Sequence, residues 1–248
     1  MLPPSTSRVA ASAPSRRAGA AYDLLDLVDV AVVVTRQAPW QLAALQAALA
    51  ADLSREWCGG ALVLVDAAPP PTARAARATL ADHHALARRT VLTAPRRLGT
   101  AGAADVLLDE ATGEYVALLD AATRPAPGAL RRLAEALERD GEALWAAPAT
   151  PGVAVLHRRA FLALGGFDPR LRGAAAVQDL ARRATVAGRR LLTVAEAAAH
   201  RDGRTGGAAR RPWRGRAGAA TGHPSWSGDA LARWLPDARR AIRRDDLA

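Results

Sequence analysis

The chain has 248 residues, half of them hydrophobic, enough to bury a full α/β core in one domain. Its formal charge of +10 rests on arginine alone: Lys and Asn are absent and Ile occurs once, the bias of a GC-rich genome, and no aromatic-rich strand accompanies the arginines, so a nucleic-acid partner is not expected. No run approaches the roughly 18 apolar residues of a membrane span, the N-terminus lacks a compact apolar signal region, and Cys58, the only cysteine, excludes an internal disulfide and a cysteine zinc cluster; a soluble, cytoplasmic protein is expected.

Residues 1–21 are rich in Pro, Ser, Ala and Arg and contain no acid, which predicts a disordered tail. The β-branched run VDVAVVV at 28–34 reads as a strand buried on both faces. Pro39 then opens a helix with Leu42, Leu45, Leu49 and Leu53 at helical spacing. The unit repeats: a strand at 61–65 and a helix at 72–88, a strand at 90–93 and a helix at 101–111, a strand at 115–119 and a helix at 127–139. His83 and His84 fall in a polar helix end with no partner at ligand spacing and read as surface residues. Beyond Pro148 the pattern loosens to a strand at 153–157, a short helix at 159–164, a Gly-Gly turn, a helix at 178–187 and a strand at 190–194.

The stretch 201–248 holds eleven arginines, five acids and Trp213, Trp226 and Trp234. It reads either as a solvated Arg-rich tail whose tryptophans fold back on the domain, or as a lid or acceptor platform, since tryptophan faces stack on sugar rings.

Strands alternating with helices of ten or more residues predict the α/β class, with a mostly parallel sheet covered on both faces. Ligands of such sheets bind beyond the carboxyl ends of the strands, which singles out Thr35, Asp66 and Asp120. A carboxylate in that position is also a common turn-former or helix cap.

LGTAGAADVLLDEATGEYVALLDAATRPAPGALRRL, from residue 98, resembles the centre of family-2 glycosyltransferases, and GGFDPRL at 165–171 resembles a second signature of that family. The resemblance spans about residues 28–200 and implies the GT-A fold, organised as a tail at 1–21, a transferase-like domain at 22–200 and an Arg/Trp-rich extension at 201–248. It implies transfer of a sugar from a nucleotide-diphosphate sugar to an unknown acceptor. The alternative is an inactive relative that binds a nucleotide or glycan or acts as a scaffold for a protein partner.

Sugar transfer of this kind uses a divalent cation, Mn or Mg, to neutralise the departing diphosphate, and in inverting members a base for the acceptor hydroxyl. Against the family pattern, Asp66 matches the first of two carboxylates near the nucleoside, and Ala67 replaces the second. Asp120 matches the first acid of Asp-x-Asp, with Ala122 in place of the stronger metal ligand, which counts against a tightly held cation. His200 matches a histidine that reaches the metal or diphosphate. An Arg-Asn pair becomes Ala104 and Asp105, setting an anion beside the expected diphosphate. The acidic pair that supplies the base aligns with Ala176 and Val177; a slip of two residues makes the pair Gln178 and Asp179, with Asp179 as base. Gly99 fits a close backbone approach to the ligand, and Arg97 and Arg124 are candidates to replace the metal charge.

Overall fold

The computed structural model describes residues 24–53, 59–81, 88–201 and 226–247. The expected tail at 1–21, Cys58, His83, His84 and Trp213 lie outside the described residues.

After a single turn of 3₁₀ helix at Leu24–Leu27, β1 (Val28–Val34) is buried at every position, as its unbroken β-branched run demands of a strand covered on both sides. Helix α1 (Pro39–Asp52) starts on Pro39, whose missing N–H costs nothing at that position, and the Gln41 side chain accepts the Ala38 amide at 2.9 Å. There follow β2 (Gly60–Asp66), α2 (Pro70–Ala81), β3 (Arg88–Ala94), α3 (Gly99–Glu110) and β4 (Tyr115–Asp120). A three-residue strand β5 (Thr123–Pro125) precedes α4 (Ala129–Arg139), β6 (Ala143–Ala147), β7 (Val153–His157) and α5 (Arg158–Ala163). The chain continues through α6 (Ala174–Val186), β8 (Arg190–Thr193), β9 (Ala199–Arg201), α7 (Gly228–Arg240) and β10 (Arg243–Leu247).

Eight strands form one sheet in the order β10-β3-β2-β1-β4-β7-β6-β8, and β5 pairs with β9 in a separate antiparallel ribbon. The four central strands β3, β2, β1 and β4 are parallel, whereas β7 runs antiparallel to both β4 and β6. Alternate residues of each strand face opposite sides. Val30, Val32 and Val34 meet Leu42, Leu45, Leu130 and Leu133 on one face, while Ala31 and Val33 belong with Leu107, Leu108, Phe161, Leu180 and Leu235 on the other. Buried Asp29 closes the amino-terminal end of the sheet by accepting the amides of Gly60, Thr112 and Gly113 at 2.6, 2.7 and 2.8 Å.

The expected elements are present with shifted ends, and the differences have local causes. Strand β6 has the sequence ALWAA, without a β-branched residue, so composition alone does not mark it. Helix α6 begins at Ala174 rather than at 178, its first turn running through three alanines after Gly173. The last segment supplies a helix and an edge strand of the main sheet. Strand β10, RRDDL, pairs antiparallel with β3, and its charges suit an exposed sheet edge while hiding it from any apolar pattern.

Candidate functional site

Because β1 is the middle strand, the registers fix what surrounds its carboxyl end: Val34 pairs with Val65 on one side and Val33 with Asp120 on the other. Asp66 and Asp120 therefore flank the loop that begins at Thr35. Gln37 pins that loop. Its side-chain oxygen accepts the Thr35 amide at 2.7 Å, its side-chain nitrogen lies 3.4 Å from Asp120 Oδ1, and its carbonyl accepts the Thr72 hydroxyl at 3.1 Å.

Asp120 is engaged through both carboxylate oxygens. Oδ1 also accepts the Ala122 amide at 3.0 Å, and Oδ2 is ion-paired with Arg201 Nη2 at 2.9 Å. The β5–β9 ribbon delivers that arginine, setting Thr123 opposite Arg201 and Arg124 opposite His200. Thr35 is linked to Asp120 through Gln37, and Arg124 and His200 sit opposite each other one residue along the ribbon from the Thr123–Arg201 pair.

The described residues do not by themselves fit a resident divalent ion. Manganese and magnesium need several oxygen donors, and the position that would supply the second carboxylate is the buried methyl group of Ala122. Among the described residues no three His, Cys, Asp or Glu side chains are grouped so as to hold a metal. Asp120 and His200 alone make an incomplete donor set.

Asp66 is buried and spends both oxygens on α3, accepting the amides of Leu98 at 2.6 Å and Gly99 at 3.0 Å. A carboxylate against the first amides of a helix neutralises unpaired donors and meets the positive end of the helix dipole. The helix-cap reading of this acid accounts for one hydrogen bond to each of its oxygens, and Gly99 belongs to that same cap. Ala67, next to it, holds φ of 47°, a left-handed conformation unusual for alanine. Arg36, in the loop after β1, and Arg96 and Arg97, in the loop after β3, are exposed on this rim.

A second polar cluster surrounds the Gly-Gly turn, and Asp105 belongs to it. Asp105 is fully buried in α3, with Oδ1 accepting the Phe167 amide at 2.8 Å, so it braces the turn rather than facing a diphosphate. Burial pushes its carboxyl well above the usual range, with Asp168 adding to the rise and the Phe167 amide and Arg183 opposing it. Asp168 is also buried, which alone would raise it, but the fork of Arg170, with contacts of 2.7 and 2.8 Å, holds it below the usual carboxylate range.

Asp179 stands on α6 beside this turn, ion-paired with Arg182 at 3.1 Å and Arg183 at 2.8 Å. Arg183 is buried and donates to the carbonyls of Leu164 and Gly166, so Asp179 is tied through it to the GGFD turn. The same turn receives the C-terminal segment: Trp226 is buried and donates its indole N–H to Gly165, beneath the Arg170 guanidinium. Trp234 packs against Gly102 of α3. These two tryptophans are folded back on the domain.

Sequence reasoning missed two residues of the rim. Gln37 lies in the TRQAPW turn after β1 with nothing to single it out from its neighbours, and Arg201 is the first of an arginine-rich stretch in which composition singles out none. The only mark on Arg201 is that it adjoins His200.

The profile of glycosyl transferase family 2 matches residues 31–163. No curated protein sequence matches the chain. Among solved structures, it is similar to the mannosyltransferase PcManGT from Pyrobaculum calidifontis in complex with GDP-Man and Mn2+, with TM-score 0.56 and 23% identity over 68% of this chain and 55% of that one. It is similar to GalNAc-T7 with UDP, GalNAc and Mn2+, with TM-score 0.62 and 14% identity over 70% and 43%. A third is S. aureus TarS 1-349 in complex with UDP-GlcNAc, with TM-score 0.54 and 14% identity over 71% and 60%. The chain spans between 43% and 60% of the length of these three structures, and at such identities the likeness concerns the fold.

Proposed function

The chain belongs to glycosyl transferase family 2 and has the GT-A fold, and from that premise we propose that it binds a nucleoside-diphosphate sugar across the carboxyl ends of β1 to β4 and transfers the sugar to an acceptor hydroxyl. The observation that carries this reading is the convergence of the loop after β1, Asp120 and the β5–β9 ribbon on one rim, where a ligand of a parallel sheet binds. The nucleotides in PcManGT, GalNAc-T7 and TarS structures make GDP- and UDP-sugars the first donors to try.

In the reaction the acceptor oxygen forms a bond to the anomeric carbon while the bond to the diphosphate breaks. The acceptor proton goes to a base, and charge accumulates on the leaving diphosphate. Asp179 is the carboxylate proposed for the base, and Arg182 and Arg183 fix its position. Asp120 and the rim arginines Arg36, Arg97 and Arg124 belong to the nucleotide side. Mn2+ accompanies the nucleotide in two of the similar structures, and among the described residues the donor set falls short of it, so no step is assigned to a metal.

A second reading, a module that binds the nucleotide without transferring sugar, is favoured by Ala176 and Val177 at the aligned base positions. Release of nucleoside diphosphate from a panel of UDP-, GDP- and dTDP-sugars, with and without candidate acceptors, separates the two. Turnover that falls in Asp179→Asn supports transfer; binding without turnover supports the module; binding of none of the panel overturns both.

A further inference from the structure

We propose that Arg201 does the work that a divalent ion would do here, so that the site takes a nucleoside diphosphate without metal; this rests on the nucleotide-sugar reading above. The inference comes from what Asp120 touches. Its Oδ2 is held by the Arg201 guanidinium at 2.9 Å, and its Oδ1 faces the Ala122 amide and Gln37, so each oxygen already has a donor. A carboxylate so placed anchors a guanidinium. It has little left to offer a cation, and Ala122 adds nothing.

The anchored guanidinium suits an anion. Arg has five N–H donors in a rigid fork, and its pairing with Asp120 uses only part of that fork, leaving donors for phosphate oxygens. The side chain of Arg201 is 42% exposed and that of Asp120 28%, so the pair lies open at the rim. The ion pair itself is neutral, and the surplus positive charge comes from its neighbours. The loops that follow β1 to β4, residues 35–38, 66–69, 95–98 and 120–122, together carry Arg36, Arg96 and Arg97 against Asp66 and Asp120. Asp66 is turned into the sheet and held by two α3 amides, and the adjoining ribbon adds Arg201. A diphosphate at this rim meets arginines where a metal-dependent site presents a carboxylate pair and its ion.

The test is calorimetric titration of the full chain with UDP and with GDP, each in EDTA and again in Mn2+. We expect one of them to bind in EDTA, with Mn2+ changing Kd less than about twofold. Arg201→Gln should weaken that binding by about tenfold or more, as loss of a charge-assisted contact does, and Arg201→Lys should fall between, because it keeps the charge and loses the fork. Melting curves of both variants report whether the ribbon has stayed folded, and Arg201→Lys carries the comparison if Arg201→Gln has not. Binding that appears only with Mn2+, or that Arg201→Gln leaves unchanged, overturns the inference and leaves the nucleotide-sugar reading standing. No binding of UDP, of GDP, or of dTDP titrated in the same way, in either condition, overturns both.

Discussion

Asp105, in the middle of α3, reaches the amide of Phe167 at 2.8 Å and so ties a core helix to the Gly-Gly turn sixty-two residues further along the chain. Gly166 leaves room for it: a Cβ there would lie 2.5 Å from Asp105 Oδ1, on a backbone with φ of +62°. Only one oxygen of the carboxylate is used. Among the described residues the buried Oδ2 has no hydrogen-bond partner, which for a charged group is costly.

Asp105→Asn should therefore stabilise the protein near neutral pH. Burial raises the folded-state pKa of Asp105 above its unfolded value, so between those two values the native state binds more protons and stability falls as pH rises. Asn keeps an acceptor for the Phe167 amide and carries no charge. Chemical denaturation should show the variant more stable by about 1–3 kcal/mol at pH 7, the cost of an unsatisfied buried group, with the gain vanishing near pH 4. A variant no more stable than the parent at pH 7 would mean that the carboxylate has found a donor.

Asp66 poses a different question, because its position suits a nucleoside ligand and its bonds suit a cap. Replacing it with Ala removes the acceptor for the Leu98 and Gly99 amides in a buried setting and should cost about 2 kcal/mol of stability. Asn, which retains one oxygen, should cost less. If the melting temperature of Asp66→Ala matches the parent while nucleotide binding disappears, Asp66 is a ligand contact and its role as a cap is minor.

The left-handed backbone of Ala67 supplies a third test. An L-residue there costs roughly 1–2 kcal/mol, part of which glycine recovers after its own loss of chain entropy. Ala67→Gly should stabilise by about 0.5–1 kcal/mol, read as a rise in melting temperature. A fall would show that the alanine methyl makes contacts worth more than the strain.

What could be read from the sequence divides along physical lines. Strands β1, β2 and β4 announce themselves because each is covered on both faces, and burial there demands long apolar runs. The end of β1 and the acids beside it follow from strand order. Arg201 does not, because its importance depends on a ribbon only three residues long, too short to leave a pattern. Asp105 was placed correctly in its helix and misjudged in its surroundings: a motif alignment gives position along the chain, and which face of α3 the side chain takes is decided by packing against a distant turn. Strand β10 escaped for the opposite reason, since an exposed edge selects charge rather than apolar residues.

Asp168 shares the turn with Asp105 and should titrate the opposite way. Arg170 holds its folded-state pKa below the unfolded value, so its contribution is present above about pH 4, the ordinary carboxylate value, and is lost as pH falls through the lowered one. Arg170 is half-exposed, which screens the pair, and Arg170→Gln should cost about 1 kcal/mol at pH 7. Most of that cost should disappear once the pH has fallen through the lowered folded-state value, where Asp168 is protonated in both states. Trp226 offers a local reporter, since the guanidinium sits 5.4 Å from its ring centroid, and its indole bond to Gly165 docks the segment leading into α7. Its fluorescence should shift in Arg170→Gln at neutral pH while the far-UV spectrum stays unchanged. A displacement of the variant's unfolding curve from the parent's that stays constant as the pH falls from 7 through the acid range would show that Arg170 acts by packing on Trp226, with the charge of Asp168 irrelevant to it.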